Sequence, residues 1–150
     1  MKKCSEVMSG DPVTGLPSNT VEDIAQLMKA ENVGPVPIVE SQESRKLIGI
    51  VTDRDLAIKV VAQGRDPKST RVEEVMTREL VTCHPGDELQ RALDAMGVHQ
   101  LRRMPVVDSR GAIVGIISQA DLALRADAPK KTAELVAEVS LPTLEYPSIA

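Results

Sequence analysis

Aromatic side chains are almost missing from this sequence: its 150 residues include no Trp and no Phe, and its one Tyr is Tyr146. A core must therefore be built from Val, Ile, Leu, Met and Ala, and functions that rest on aromatic stacking lose their usual means. A basic excess is also lacking. With 18 Lys and Arg against 22 Asp and Glu, the net charge is −4, so nucleic acid is not expected as a partner. Cysteine is scarce. Cys4 and Cys83 form no CxxC and read as free thiols of a reducing, cytoplasmic setting, although two such residues can pair if the fold makes them neighbours. No apolar run approaches a membrane span of about 20 residues or follows a basic leader, so neither a membrane nor export is expected. No Ser/His/Asp order, HExxH, P-loop or GxGxxG is present. Cys83, His84 and His99 lack the spaced third and fourth ligands of a zinc site. Neither catalysis nor a bound metal is expected.

What the chain does have is an internal repeat. Glu6-Val7-Met8 returns as Glu74-Val75-Met76, Met28 as Met96 and Pro37 as Pro105, each pair 68 positions apart. The offset then becomes 66: Gly49-Ile50 returns as Gly115-Ile116, and Asp55-Leu56-Ala57 as Asp121-Leu122-Ala123. The change of two falls between Val39 and Leu47, where a hairpin loop should tolerate insertion. With 42% hydrophobic residues there is material for a packed interior.

Both copies predict the same elements in the same order. Thr20-Val21-Glu22-Asp23 has the form of a capping box, followed by Val21, Ile24, Ala25 and Met28 at helical spacing. In the second copy Asp87 is placed to cap a helix with Leu89, Ala92, Leu93 and Met96 on its apolar face. Val36 to Val39 and Met104 to Val107 read as strands, with Pro37 and Pro105 favouring a strand start or a sheet edge. Leu47 to Thr52 and Ala112 to Ser118 supply the partner strands. A second helix follows each, carrying Leu56, Ala57, Val60 and Val61, then Leu122, Ala123 and Leu124. The expected fold is mixed α/β (α+β), two pseudo-two-fold-related repeats packed sheet to sheet with helices outside. The expected division is repeat 1 over 1–64, a linker over 65–71, repeat 2 over 72–128, and a C-terminal helix (Lys130 to Val139) with an extended tail over 129–150.

Gly49-Ile50-Val51-Thr52-Asp53-Arg54-Asp55 and its echo Gly115-Ile116-Ile117-Ser118-Gln119-Ala120-Asp121 resemble the G-hydrophobic-x-[ST]-x-x-D signature of cystathionine-β-synthase (CBS) domains. Pro37-Ile38-Val39 and Pro105-Val106-Val107-Asp108 are similar to that family's second-strand pattern, and Glu6 to Ser9 and Glu74 to Thr77 to its lead-in. The resemblance runs over residues 4–126, in both copies and in order. It implies a stand-alone tandem CBS pair, or Bateman module: a non-enzymatic, commonly homodimeric sensor that binds an adenosine-containing ligand in clefts between the repeats and regulates a separate, unknown protein. AMP, ADP, ATP or another adenosyl compound is the implied ligand, and no cofactor is required.

In the family the matching positions contact the ligand, which here means the hydroxyls of Thr52 and Ser118 on phosphate and the carboxylates of Asp55 and Asp121 on ribose. A helix N-terminus after the strand would favour phosphate further. Family clefts join this motif in one copy to the second-strand start of the other, so Arg102, Arg103 and Pro105 are assigned with Asp55, assisted by Arg54. Gly34-Pro35 offers the opposite cleft no cation. The expectation is one competent site, Thr52/Asp55/Arg103, and one weaker. Val13, Val36, Ile38, Val81, Met104 and Val106 are the candidate walls for adenine. The competing reading is that both Thr/Ser-x-x-Asp motifs only cap helices and the chain is a ligand-free dimeric scaffold. Arg102 and Arg103 would then be a solvated surface pair.

Overall fold

A computed structural model of the chain describes residues 2–125. The helix expected from Lys130 and the tail beyond it lie outside the described residues. In chain order the elements are α1 (Cys4–Val7), β1 (Ser9–Gly10), α2 (Val21–Glu31), β2 (Pro35–Val39), β3 (Leu47–Thr52), α3 (Asp53–Leu56) and a π-helical turn (Ala57–Val61). A 3-10 turn (Val72–Glu74), α4 (Leu89–His99), β4 (Arg103–Val107), β5 (Ile113–Ser118) and α5 (Gln119–Arg125) follow. The fold is α+β.

The compact units cut across the sequence repeats. Among the described residues one unit, the Thr52 unit, is Val13–Leu80; the other, the Ser118 unit, joins residues 2–12 to residues 81–125. Each repeat's lead-in therefore packs with the strands of the other repeat.

In the Thr52 unit β2 and β3 form an antiparallel pair, Pro35 opposite Thr52 and Pro37 opposite Ile50. Pro37 sits mid-strand, which a two-stranded sheet permits because each strand has an open edge. The segment before α2 runs parallel to that edge, with the Gly15 N–H donating to the Pro37 carbonyl and the Val39 N–H to that of Gly15. Thr20 and Asp23 close the predicted capping box at α2, and Asn32 ends the helix in the left-handed conformation. Val21, Ile24 and Met28 are buried; Ala25 is exposed and Leu27 takes its place against the core. After α3 the backbone widens to the π turn, whose extra residue rotates Val61 outward to 76% exposure, so the predicted apolar face is carried by Leu56 and Val60.

The Ser118 unit repeats this plan around the sheet β1-β5-β4. Arg103 pairs with Ser118 and Pro105 with Ile116. Cys83 occupies the place of Gly15, its N–H on the Pro105 carbonyl and its carbonyl accepting from Val107. Leu89, Ala92, Leu93 and Met96 are all buried, as their spacing predicts. The cap differs from expectation: Glu88 stands at the N-cap, and the Asp87 carboxylate turns back to accept the His84 N–H at 2.9 Å. The hairpin loops differ in length where predicted, 40–46 against 108–112, and both sheets shift register at the same place, between Ile38 and Val39 and between Val106 and Val107.

The Glu-Val-Met lead-in has a physical role at each position. Glu6 accepts the Lys3 N–H at 2.9 Å and Glu74 the Arg71 N–H at 2.7 Å, closing the first turn. The Arg71 N–H and the Arg65 guanidinium together hold the Glu74 carboxyl below the ordinary value. Val7 and Val75 enter the two cores. Met8 and Met76 lie over the glycines of the signature, where a Cβ on Gly49 would come within 2.6 Å of the Met76 sulfur and one on Gly115 would collide with that of Met8.

Candidate functional site

The signature places its hydroxyl and carboxylate at a strand-to-helix turn in each unit. At the turn from β3 to α3, the Thr52 Oγ1 accepts the Asp55 N–H at 3.1 Å and the Asp55 Oδ2 accepts the Thr52 N–H at 2.9 Å. This reciprocal pair is a complete capping box. The other Asp55 oxygen lies 3.2 Å from the Lys59 ammonium, which also donates to the Val75 carbonyl at 3.0 Å. The Asp55 side chain is 15% exposed and that of Lys59 30%. One carboxylate oxygen is thus committed to the backbone and the other faces a long, flexible cation.

The turn from β5 to α5 is built alike but closed. Ser118 Oγ accepts the Asp121 N–H at 3.2 Å, and Asp121 Oδ2 accepts both the Ser118 N–H and the Ser118 hydroxyl at 3.0 Å. Asp121 Oδ1 accepts the Ser9 hydroxyl at 2.7 Å. Asp121 is buried, at 7% exposure. Both of its oxygens hold hydrogen bonds inside the unit, so a ribose diol would have to displace Ser9 or Ser118 to reach it. Ser9, which holds the Asp121 carboxylate, figures in the sequence pattern only as part of the lead-in motif. The signal was present in the aligned copies, where Thr77 stands at the same position, but the bond joins residues 112 positions apart.

The other candidates divide by exposure. Arg54 and Arg102 are exposed and Arg103 is half-buried at the start of β4, opposite Ser118 in the ladder. Val36 and Ile38 are fully buried in the core of the Thr52 unit, Met104 and Val106 in that of the Ser118 unit. Pro105 is buried as well, while Val13 and Val81 keep partial exposure. The Gln119 carboxamide nitrogen, beside Ser118, is buried without a hydrogen-bond partner. Among the described residues no group of three or more His, Cys, Asp or Glu side chains is arranged to hold a metal ion, and no helix is long and apolar enough to cross a membrane.

The CBS domain family profile matches this chain twice, over residues 4–62 and 72–126. The chain therefore belongs to the CBS domain family, as a tandem pair. It is 42% identical over 124 residues to the CBS domain-containing protein YhcV of Bacillus subtilis, covering 83% of this chain and 85% of YhcV. It is 31% identical over 130 residues to inosine-5'-monophosphate dehydrogenase of Methanocaldococcus jannaschii, covering 87% of this chain but 25% of that enzyme. Among solved structures, the CBS domain pair of protein MJ0100 in complex with 5'-methylthioadenosine and S-adenosyl-L-methionine superposes with a TM-score of 0.73. The identity is 28%, over 82% of this chain and 94% of that one.

Proposed function

We propose that this protein is a regulatory module that binds an adenosine-containing ligand at the Thr52–Asp55 turn and, as a homodimer, reports its occupancy to a separate protein. The observation that carries the reading is the contrast between the two turns: the Asp121 carboxylate is sealed by Ser9 and Ser118, whereas one Asp55 oxygen faces the Lys59 side chain. Lys59 can swing away, leaving that oxygen for a ribose hydroxyl, while the capping bond to Thr52 keeps the carboxylate aimed. The adenosyl ligands bound by the MJ0100 pair, 28% identical to this chain, support the ligand class. Phosphate, where the ligand has one, would draw on Arg54 in the first turn of α3. The reading gives the chain no catalytic step.

Thermal shift with AMP, ADP, ATP, NAD and S-adenosylmethionine, followed by calorimetry, tests this directly, because a ligand that binds only the folded state raises the melting temperature. At least one adenosine compound should raise it. Asp55→Ala should weaken that ligand at least about 10-fold, on the scale of a lost charge-assisted hydrogen bond, with Asp121→Ala doing less to affinity and more to stability. Equal affinity losses would overturn the asymmetry. No shift with any compound at millimolar concentration would favour the scaffold reading, to which the completed capping boxes already lend support.

A further inference from the structure

Both cysteines of the chain lie in the Ser118 unit and in one apolar cluster, Cys4 fully buried and Cys83 6% exposed. Backbone hydrogen bonds bring their segments side by side. The Cys4 N–H donates to the Asp87 carbonyl at 2.9 Å and the Ser5 N–H to that of Pro85 at 3.0 Å, while Cys83 is pinned along β4 by its bonds to Pro105 and Val107. Both thiols are buried in that one cluster, and no disulfide joins them. Interaction with Cys83 lowers the Cys4 thiol below its ordinary value, while interaction with Cys4, burial and the Asp87 carboxylate raise the Cys83 thiol. The equivalent positions of the other unit hold Val72 and Gly15, so the thiol pair belongs to one lead-in alone.

We propose that Cys4 and Cys83 are a redox pair, oxidised by a low-molecular-weight disulfide to an intramolecular cystine that fastens the lead-in segment to the Ser118 unit. The Cys4 thiolate attacks one sulfur of the small disulfide, breaking its S–S bond and expelling one thiolate. Cys83 then loses its proton, and its thiolate attacks the Cys4 sulfur and expels the second. The two cysteines give up two electrons and two protons, which leave on two molecules of small thiol. Both sulfurs are buried, so the reaction proceeds through local opening of the four-residue α1. The segment so fastened carries Met8, which covers Gly115, and Ser9, which holds Asp121. The proposal is independent of ligand binding.

The test treats the full chain with oxidised glutathione under native conditions and follows intact mass, peptide mapping and thiol titration. A loss of about 2 Da, with a Cys4–Cys83 cross-linked peptide, no retained glutathione and reversal by dithiothreitol, is the expected result. The bridge closes a long loop, so the oxidised protein should melt about 5 °C or more above the reduced one. Cys83→Ser should instead retain glutathione on Cys4. The proposal is overturned if the native protein keeps both thiols while the denatured chain forms the bridge, or if oxidation yields only cross-linked dimers. Should the Cys83 variant not fold, the native wild-type mass decides alone.

Discussion

Gly49 and Gly115 have ordinary backbone angles, so their conservation of size within the repeat comes from what lies above them. A Cβ at Gly49 would meet the Met76 sulfur at 2.6 Å and the Thr77 carbonyl at 3.1 Å; one at Gly115 would press into Met8 down to its Cβ, 3.1 Å away. The Met tip can bend, but backbone and Cβ cannot without shifting the lead-in. Gly49→Ala and Gly115→Ala should each cost about 1–3 kcal/mol in urea denaturation, the usual range for overpacking. Met8→Ala should rescue part of the Gly115→Ala loss, giving a coupling that a double-mutant cycle measures. The same lead-in supplies Ser9 to Asp121, so one short segment both fills the space over a glycine and satisfies a buried carboxylate.

At the scale of elements, α2 and α4 are the same eleven-residue helix started in two ways. Thr20 caps α2 through the Asp23 N–H, with the Asp23 carboxylate returning to the Thr20 N–H at 3.0 Å. Glu88 at the head of α4 makes no side-chain cap, and that end is held instead by the Leu89 N–H on the Lys2 carbonyl. Thr20→Ala should therefore destabilise by about 1 kcal/mol, as loss of an N-cap usually does, whereas Glu88→Ala should leave stability nearly unchanged. Thermal melts of the two variants check this. Repeat spacing and apolar periodicity made both helices and all four principal strands legible. The π turn was not: its signal is one extra residue in the backbone spiral, and Ala57-Ile58-Lys59-Val60-Val61 reads as an ordinary amphipathic turn until Val61 is seen exposed.

At the scale of the molecule, the exchange of lead-ins makes each compact unit depend on residues from the other repeat. Removing residues 2–10 takes Cys4 and Val7 out of the Ser118 unit's core and the strand β1 off its sheet. Hydrogen exchange followed by mass spectrometry should then show faster exchange in β4 and β5, with β2 and β3 changing less. Equal acceleration of both sheets would refute the assignment of the lead-in to the Ser118 unit. For the same reason a fragment ending with the first repeat lacks Val72, Val75 and Met76, all buried in the Thr52 unit's core.

The family, the tandem repeat, the order of the principal helices and strands and the residues at each strand-to-helix turn were legible in the sequence, because these rest on local periodicity and on motifs that recur at fixed offsets. It took the folded chain to show which lead-in serves which sheet, that Asp121 is sealed by Ser9 while Asp55 faces Lys59, and that Cys4 and Cys83 share one buried cluster. Nothing in local spacing encodes them; they follow from chain folding that brings individually unremarkable side chains together.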